Sequence, residues 1–289
     1  MNVIAPRSDS RLHAEQVSVN FDGHRVLHAV DLHLPAGEIS VFVGANGSGK
    51  STLFRALARL IAPHDGRVTL DGQSISHLPT RQVAQTLALL PQNPIAPDGI
   101  IVADLVGRGR YPHLGAFGRW SHGDDDIVKA SLDATGVADL AQRRIEELSG
   151  GQRQRVWLAM TLAQRADIVL LDEPTTFLDV RHQIDTLELI AELNRDHGTT
   201  IGMVLHDLNL ASRYADHLFA IAGGRIVATG TPEEVITPET VKSVYDLECI
   251  VVPDPVTGSP LVVPLQRQAQ RDAHTIRQNI PPGRDATLP

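Results

Sequence analysis

Short apolar runs that end in polar or turn-forming residues dominate the pattern of this chain. Ile39–Val43, Leu87–Leu90, 168–171 and 200–205 are almost continuously apolar, which predicts strands buried on both faces. Between such runs lie stretches with apolar residues three or four positions apart, of which Val180–His197 is the longest, and these stretches predict helices. Strands that alternate with helices indicate an α/β fold.

Two regions depart from this alternation. Apolar and polar residues alternate from 12 to 34 and pause at Asp22-Gly23, which predicts an antiparallel strand pair. From about 93 to 163 the spacing becomes helical, which predicts a helical insertion. We therefore predict one domain over 12–265, with a core and its β subdomain at 12–92 and 164–265, and a helical subdomain at 93–163.

The end of the chain carries three further elements and a tail. A hairpin turns at Gly223-Gly224, a helix is predicted over 232–245, and a last strand pair is predicted over 251–265. Residues 266–289 are polar and end in proline, so we expect a disordered tail.

Composition restricts the class of protein. The 289 residues are 42% hydrophobic and 21% charged, which is typical of a globular domain with a large core. A net charge of −8 gives no overall attraction to nucleic acid or anionic lipid. The single cysteine, Cys249, cannot form an internal disulfide, and we expect it to be buried. With no apolar run of about 18 residues, we expect a soluble, intracellular protein that reaches a membrane only through a partner.

A glycine-rich run follows the strand Ile39–Val43. It fits the spacing G-x-x-x-x-G-K-[ST] and precedes a helix predicted over 53–61. Glycines let the backbone wrap nucleotide phosphates, Lys50 supplies a cation, and the Ser51 hydroxyl can ligate Mg²⁺. The predicted phosphate site comprises Gly44, Ala45, Asn46, Gly47, Ser48, Gly49, Lys50, Ser51 and Thr52.

Two carboxylates end the apolar run 168–171. Carboxylates at the end of a buried strand are costly unless a cation or a reacting proton uses them. Asp172 fits an Mg²⁺ ligand, and Glu173, which should face the opposite way, fits a base that takes a proton from an attacking water. The alternative is that both residues cap the next helix.

Three other residues near strand ends have both a structural and a functional interpretation. Phe21 is either a core ring or a ring that stacks on a base. Gln92 is either a loop residue or a ligand of Mg²⁺ or the attacking water. His206 is either structural or a hydrogen-bond partner of a γ-phosphate oxygen.

The stretch 148–152, Leu-Ser-Gly-Gly-Gln, places two glycines where a helix should start. Unobstructed N–H groups and the partial positive charge of a helix N-terminus make this stretch a candidate anion site. The alternative is an ordinary helix capped by Ser149. The phosphate loop upstream and the acidic strand end downstream favour the anion site.

Taken in order, these motifs resemble the nucleotide-binding subunit of an ABC transporter, over about 12–265. The resemblance implies an α/β fold with a P-loop NTPase (RecA-like) core, an antiparallel β subdomain and an inserted α-helical subdomain. It implies ATP and Mg²⁺ as cofactors, and a head-to-tail dimer of two identical chains. In that dimer Ser149, Gly150, Gly151 and Gln152 would contact ATP held by the other copy's loop 44–52.

The same resemblance implies a role for each single site residue. Phe21 would stack on adenine, although the family more often has Tyr there, and Ala45 replaces a frequent Pro. The catalytic residues would be Lys50, Gln92, Glu173 as general base and His206 as γ-phosphate partner. Ser51, Gln92 and Asp172 would hold Mg²⁺. Asp179 would contact the other copy. Gln92 would also link the site to a membrane permease.

A closer resemblance concerns the transported cargo. Residues 107–113, 171–179 and 204–209 resemble ATPases of ferric siderophore importers, and 258–264 resembles the enterobactin-type members. This implies a subunit on the cytoplasmic face of the inner membrane, bound to a permease and indirectly served by a solute-binding protein, with no nucleic acid. Cobalamin and haem importers remain alternatives, as does a non-transport ABC ATPase, which the single cassette and the acidic balance disfavour.

Basic and aromatic residues also cluster in the helical insertion. They are either solvated arginines beside packing rings or a docking face for another protein. On the docking alternative, Arg110→Glu should weaken permease binding and leave ATP affinity unchanged. The acidic run Asp124-Asp125-Asp126 is interpreted as a charged helix start. The cluster comprises Arg108, Arg110, Tyr111, His113, Phe117, Arg119 and Trp120.

Overall fold

The structure is a computed structural model, and it describes residues 11–21, 23–114 and 120–265. The strands are β1 (Leu12–Phe21), β2 (His24–His33), β3 (Ile39–Val43), β4 (Asp65–Leu70), β5 (Gln73–Ser74), β6 (Leu87–Leu90), β7 (Ile168–Asp172), β8 (Thr200–Val204), β9 (His217–Ala222), β10 (Arg225–Gly230), β11 (Cys249–Pro253) and β12 (Pro260–Pro264). The α-helices are α1 (Lys50–Leu57), α2 (Thr80–Thr86), α3 (Val102–Gly107), α4 (His122–Ala134), α5 (Gly150–Ala163), α6 (Val180–His197), α7 (Leu208–Tyr214), α8 (Pro232–Val235) and α9 (Pro238–Tyr245).

A six-stranded sheet forms the centre of the molecule, in the order β10-β9-β3-β8-β7-β6. All its neighbouring strands pair in parallel except β9 and β10. Every residue of β3, β7 and β8 is buried, as their continuous apolar runs predict. Because carboxyl ends of parallel strands meet at one edge, the residues after β3, β6, β7 and β8 emerge side by side.

A separate antiparallel sheet, in the order β2-β1-β4-β5, contains the predicted strand pair β1 and β2. Its apolar face shares one core with the central sheet and α1. In that core Phe42 of β3 stacks on Phe219 of β9 at 4.7 Å between ring centroids, and Phe54 of α1 meets Phe42 edge-on at 5.0 Å. These rings fix β3 and α1 against each other, on either side of the glycine-rich loop that joins them.

The region between β6 and β7 contains the helices α3, α4 and α5. Helices α3, α4 and α5 pack on one another, and their apolar side chains join the core on the other side of the central sheet. The P-loop core, antiparallel subdomain and helical region agree with the predicted fold class. None of the described helices is long and apolar enough to cross a bilayer.

Two predicted helices differ from the structure. The first, predicted over 53–61, is α1 and ends at Leu57, because Arg59 takes a left-handed φ of 61° that a helix does not allow. The second, predicted as one helix over 232–245, is the pair α8 and α9, because Thr237 caps a new helix that begins at Pro238. The predicted tail, residues 266–289, lies outside the described residues.

Candidate nucleotide-binding site

The loop between β3 and α1 has a shape that only glycine allows at two positions. Gly44 has φ 156°, and a Cβ there would lie 2.2 Å from the carbonyl oxygen of Ile221. Gly49 has φ 104°, and a Cβ there would lie 2.8 Å from Cδ2 of Leu27. The loop is therefore held in a strained, tightly packed form, while its middle residues, 45–47, are exposed.

Lys50 begins α1 and is 5% exposed. Its Nζ donates to the carbonyl oxygens of Gly44 at 2.7 Å and Ala45 at 3.0 Å. Burial lowers the pKa of Lys50, and the nearby charges of Glu173 and Asp172 oppose that effect. The ammonium group thus lies inside the loop that the sequence assigns to phosphate, close to both predicted carboxylates.

Asp172, the last residue of β7, is buried beside the phosphate loop. Ser51 Oγ donates to Asp172 Oδ1 at 3.1 Å. Burial raises the pKa of Asp172, and the Ser51 hydrogen bond opposes the rise. A buried carboxylate paired with a hydroxyl is the hard oxygen donor set that Mg²⁺ prefers, and a cation there would compensate the cost of burial.

Three side chains hold the carboxylate of Glu173. Its Oε1 lies 2.7 Å from Nε2 of His206, its Oε2 accepts from Thr176 Oγ1 at 3.1 Å, and Gln92 also hydrogen-bonds to the carboxylate. Burial alone would raise the pKa of Glu173, but the hydrogen bonds from His206 and Gln92 outweigh it and lower the pKa. The carboxylate is therefore ionised near neutral pH, the form that a general base requires.

The carboxyl edge of the sheet thus brings together every strand-end residue that the sequence selects there. These residues are Lys50, Ser51, Gln92, Asp172, Glu173 and His206. Sequence analysis assigned no role to Thr176. The usable signal is a hydroxyl three residues after a carboxylate, the spacing at which a turn returns one side chain to another.

The stretch 148–152 lies at the start of α5 and has the capping geometry that was the alternative interpretation. Ser149 Oγ accepts from Gln152 N at 3.2 Å, and Gln152 Oε1 accepts from Ser149 N at 3.0 Å. Ser149 and Gly150 are exposed. Capping uses one lone pair of the Ser149 hydroxyl and leaves its O–H free to donate, so a cap and an anion site are compatible here.

Phe21 and Asp179 occupy exposed positions. Phe21 ends β1 opposite His24 and is 42% exposed, so it is not a core ring. Asp179 caps α6 by accepting from His182 N at 2.9 Å. In the described part of the chain Asp179 is thus a helix cap at the surface.

Comparison with known proteins decides the family. The ABC transporter family matches residues 27–176, just over half of the chain, a range that holds the phosphate loop, the start of α5 and both carboxylates. The chain belongs to the ABC transporter family. The predicted fold class and the class of enzyme, an ATPase that works in transport, are confirmed with it.

Individual ABC proteins match along almost their whole length. The ferric enterobactin transport ATP-binding protein FepC of Escherichia coli is 48% identical over 268 residues, 93% of this chain and 99% of that protein. The probable siderophore transport ATP-binding protein YusV of Bacillus subtilis is 52% identical, over 88% of this chain and 93% of that protein. A solved inward-facing ABC transporter described as being of the metal-chelate type has a TM-score of 0.77 at 25% identity, and the match covers 90% of this chain and 100% of that one.

The basic and aromatic cluster of this ABC ATPase is only partly a surface. Arg110 is buried: its Nε lies 2.9 Å from Asp124 Oδ1, and its Nη1 donates to Ala163 O at 2.8 Å. The prediction that Arg110→Glu tests docking is therefore wrong, since that change would place two carboxylates together in the interior. Tyr111 and Trp120 are exposed, whereas Phe117 and Arg119 lie outside the described residues.

The acidic run in α4 is more than a charged helix start. Hydrogen bonds from Ser121 and Arg110 lower the pKa of Asp124 to about 2. Ser121 forms a capping box with Asp124, and Trp120 Nε1 donates to Asp125 at 2.6 Å. The run therefore ties α4 to the residues before it and, through Arg110, to the end of α5.

Proposed function

We propose that this chain is the ATP-hydrolysing subunit of an importer that takes up an iron(III)–siderophore complex. The observation that carries the ATPase part is the ionised Glu173, held by His206 beside the Asp172–Ser51 pair and Lys50. The cargo part is supported by the siderophore names of the relatives, among them FepC and YusV.

The hydrolytic step follows from these positions. Glu173 takes a proton from the water whose oxygen attacks the γ-phosphorus, the bond from that phosphorus to the oxygen shared with the β-phosphate breaks, and ADP leaves with the electron pair of that bond. His206 holds the carboxylate in place at 2.7 Å and would also bond a γ-phosphate oxygen. Lys50 leaves the carbonyl oxygens of Gly44 and Ala45 for phosphate oxygens when ATP enters. Ser51 and Asp172, with Gln92, would hold Mg²⁺, which neutralises charge on the phosphates.

The second half of the site comes from another copy of the chain. At the start of α5, Ser149 and Gly150 are exposed, and Gly151 and Gln152 are half-buried. The capping box pairs the N–H groups of Ser149 and Gln152, so the N–H groups of Gly150 and Gly151 are the first-turn donors left for an anion. Beside them Phe177 is 72% exposed and Val180 is 76% exposed, a degree of exposure that an interface would remove. In a head-to-tail dimer this surface would cover ATP on the partner's loop 44–52, with Asp179 at the contact and Phe21 against the adenine.

The dimer would act on a permease from the cytoplasmic face of the membrane. Arg108, Tyr111 and Trp120 offer exposed basic and aromatic groups for that contact. A solute-binding protein would deliver the cargo to the permease, and no part of the cargo would touch this chain.

The test combines purified protein with uptake in cells. The chain should hydrolyse ATP in the presence of Mg²⁺, and cells without it should lose iron–siderophore uptake and keep cobalamin and haem uptake. If the cells lost cobalamin or haem uptake instead, that compound would be the cargo and the siderophore assignment would be wrong. Recovery of ribosomes or DNA, rather than a membrane protein, with the tagged chain would contradict the transport role.

A further inference from the structure

Gln154 is a buried polar residue one turn into α5, and it has no role in the mechanism described so far. Gln154 is only 6% exposed. Its Nε2 donates to the carbonyl oxygens of Pro174 at 3.2 Å and Glu173 at 3.4 Å. A buried amide donor must find an acceptor, and the acceptors here belong to the backbone at the general base.

The backbone at Glu173 needs support of this kind. Glu173 has φ 58°, in the left-handed region, which costs a residue with a side chain about 1–2 kcal/mol. Such a conformation persists where the surroundings impose it. Within its own turn, the carbonyl oxygen of Glu173 accepts only a long bond from Thr176 N, at 3.3 Å, so the amide of Gln154 adds a second donor from another element.

The first turn of α5 lies along the same segment. The Cβ position of Gly150 is 3.4 Å from Cβ of Phe177, and that of Gly151 is 3.4 Å from the carbonyl oxygen of Phe177. The first two turns of α5 therefore pack along 173–178, from the base to the residues before α6. A shift of α5 along this segment would move the backbone of Glu173 through Gln154.

We propose that Gln154 is a positioning residue, which transmits the position of α5 to the general base of the same chain. This rests on the proposed function, in which the start of α5 contacts ATP held by the partner. Each Glu173 would then be aligned only when the helix bonded to it is engaged by the partner's nucleotide. Gln154 thereby couples the two sites of the dimer.

The chain offers a matched control for this role. Gln164, at the other end of α5, also donates its Nε2 to two backbone carbonyl oxygens, those of Ala84 at 2.6 Å and Leu87 at 3.1 Å. Methionine has nearly the length of glutamine and no amide donor. Gln154→Met and Gln164→Met therefore remove the same group, the first inside α5 and near the base, the second at the residue that caps the end of α5 and far from the base.

The measurement is ATP turnover of the dimer against ATP concentration and pH. Because small misplacements of reacting groups cost up to about 10²-fold, Gln154→Met should lower kcat roughly 10-fold to 100-fold with little change in KM. It should also weaken cooperativity in ATP and move the acid limb of the pH profile upward, as Glu173 loses its alignment with His206. Gln164→Met should keep the kcat, the cooperativity and the pH profile of the wild type, and Gln154→Asn, with its amide on a shorter stem, should fall between wild type and Gln154→Met.

A second background separates positioning from damage to the fold. If Gln154 acts through Glu173, then adding Gln154→Met to Glu173→Gln should cost almost nothing further. The positioning role of Gln154 would be overturned by an equal loss of kcat in both backgrounds or by an unchanged kcat in Gln154→Met. It would also be overturned if Gln154→Met and Gln164→Met lost kcat and thermal stability equally. A wild type without ATPase activity would contradict the proposed function itself.

Discussion

The phosphate loop and the start of α5 are both glycine-rich helix starts, yet they differ in how much room the fold leaves for a side chain at the glycine. At Gly44 a Cβ would lie 2.2 Å from a carbonyl oxygen of the same chain, so the fold itself excludes a side chain. At Gly150 the nearest atom to a Cβ would be 3.4 Å away, which is ordinary contact, and no positive φ demands glycine. The fold of this chain therefore does not exclude a side chain at Gly150. The packing of this chain alone thus requires glycine in the phosphate loop, whereas on the proposed function the glycine at the start of α5 is required by the second copy.

Removing the general base should have the largest effect on catalysis while sparing the loop. Glu173→Gln should slow turnover roughly 10²-fold to 10⁴-fold, the range for losing a general base, because the amide cannot accept the proton. ATP binding should persist, since Lys50 and the loop are untouched. Turnover and ATP affinity measured on the same preparation check this, and unchanged turnover would remove Glu173 from the mechanism.

The second prediction concerns the stability of the helical region between β6 and β7. Arg110→Met leaves Asp124 as a buried charge without its partner, which should cost about 3–5 kcal/mol of the free energy of unfolding. The variant Arg110→Met/Asp124→Leu removes both charges and should recover much of that loss. Denaturant unfolding of the three proteins measures it. Equal stability of the single variant and the wild type would show that the pair does not anchor the end of α5.

Substitution of the two glycines compares the two helix starts directly. Gly44→Ala should cost about 1–3 kcal/mol through overpacking and should impair ATP binding. Gly150→Asp should change stability by no more than about 0.5 kcal/mol, because a carboxylate suits the first turn of a helix, yet it should abolish turnover by repelling the partner's phosphates.

Gly123 provides the control for that carboxylate. It lies in the first turn of α4, which Ser121 caps as Ser149 caps α5, and its Cβ position meets only Ser121 Oγ at 3.6 Å. Gly123→Asp should leave turnover unchanged. If Gly123→Asp and Gly150→Asp lose turnover alike, the charge acts through the fold and the contrast between the two helix starts fails.

The smallest expected effect is a shift in pH dependence. Hydrogen bonds from His206 and Gln92 lower the pKa of Glu173 against the opposing effect of burial. The value of kcat/KM should therefore still be high at the ordinary glutamate pKa of about 4.3, and it should fall as the pH drops through the lowered pKa. His206→Ala removes one of these hydrogen bonds and raises that pKa. Its acid limb should therefore lie at higher pH than that of the wild type, and a limb at lower pH would contradict the assigned contact.

The local pattern of the chain predicted most of the core. The bounds of β6 and α6 follow from apolar spacing, because each element has clear stop signals. The strand-end residues Asp172, Glu173 and His206 follow from where buried strands end. Arg110 could not be predicted, because its partners Asp124 and Ala163 come from elements that only packing brings together. The contacts of Gln154 could not be predicted for the same reason, since its acceptors lie about twenty residues away in the sequence.

The central claim is that the start of α5 completes a site on a second copy of the chain. The direct measurement is the mass in solution of Glu173→Gln, with and without ATP, because this variant should bind ATP and hold it. The account predicts the mass of one chain without ATP and twice that mass with ATP, and only the single mass when Gly150→Asp is added. Glu173→Gln that binds ATP and keeps the mass of one chain would contradict it.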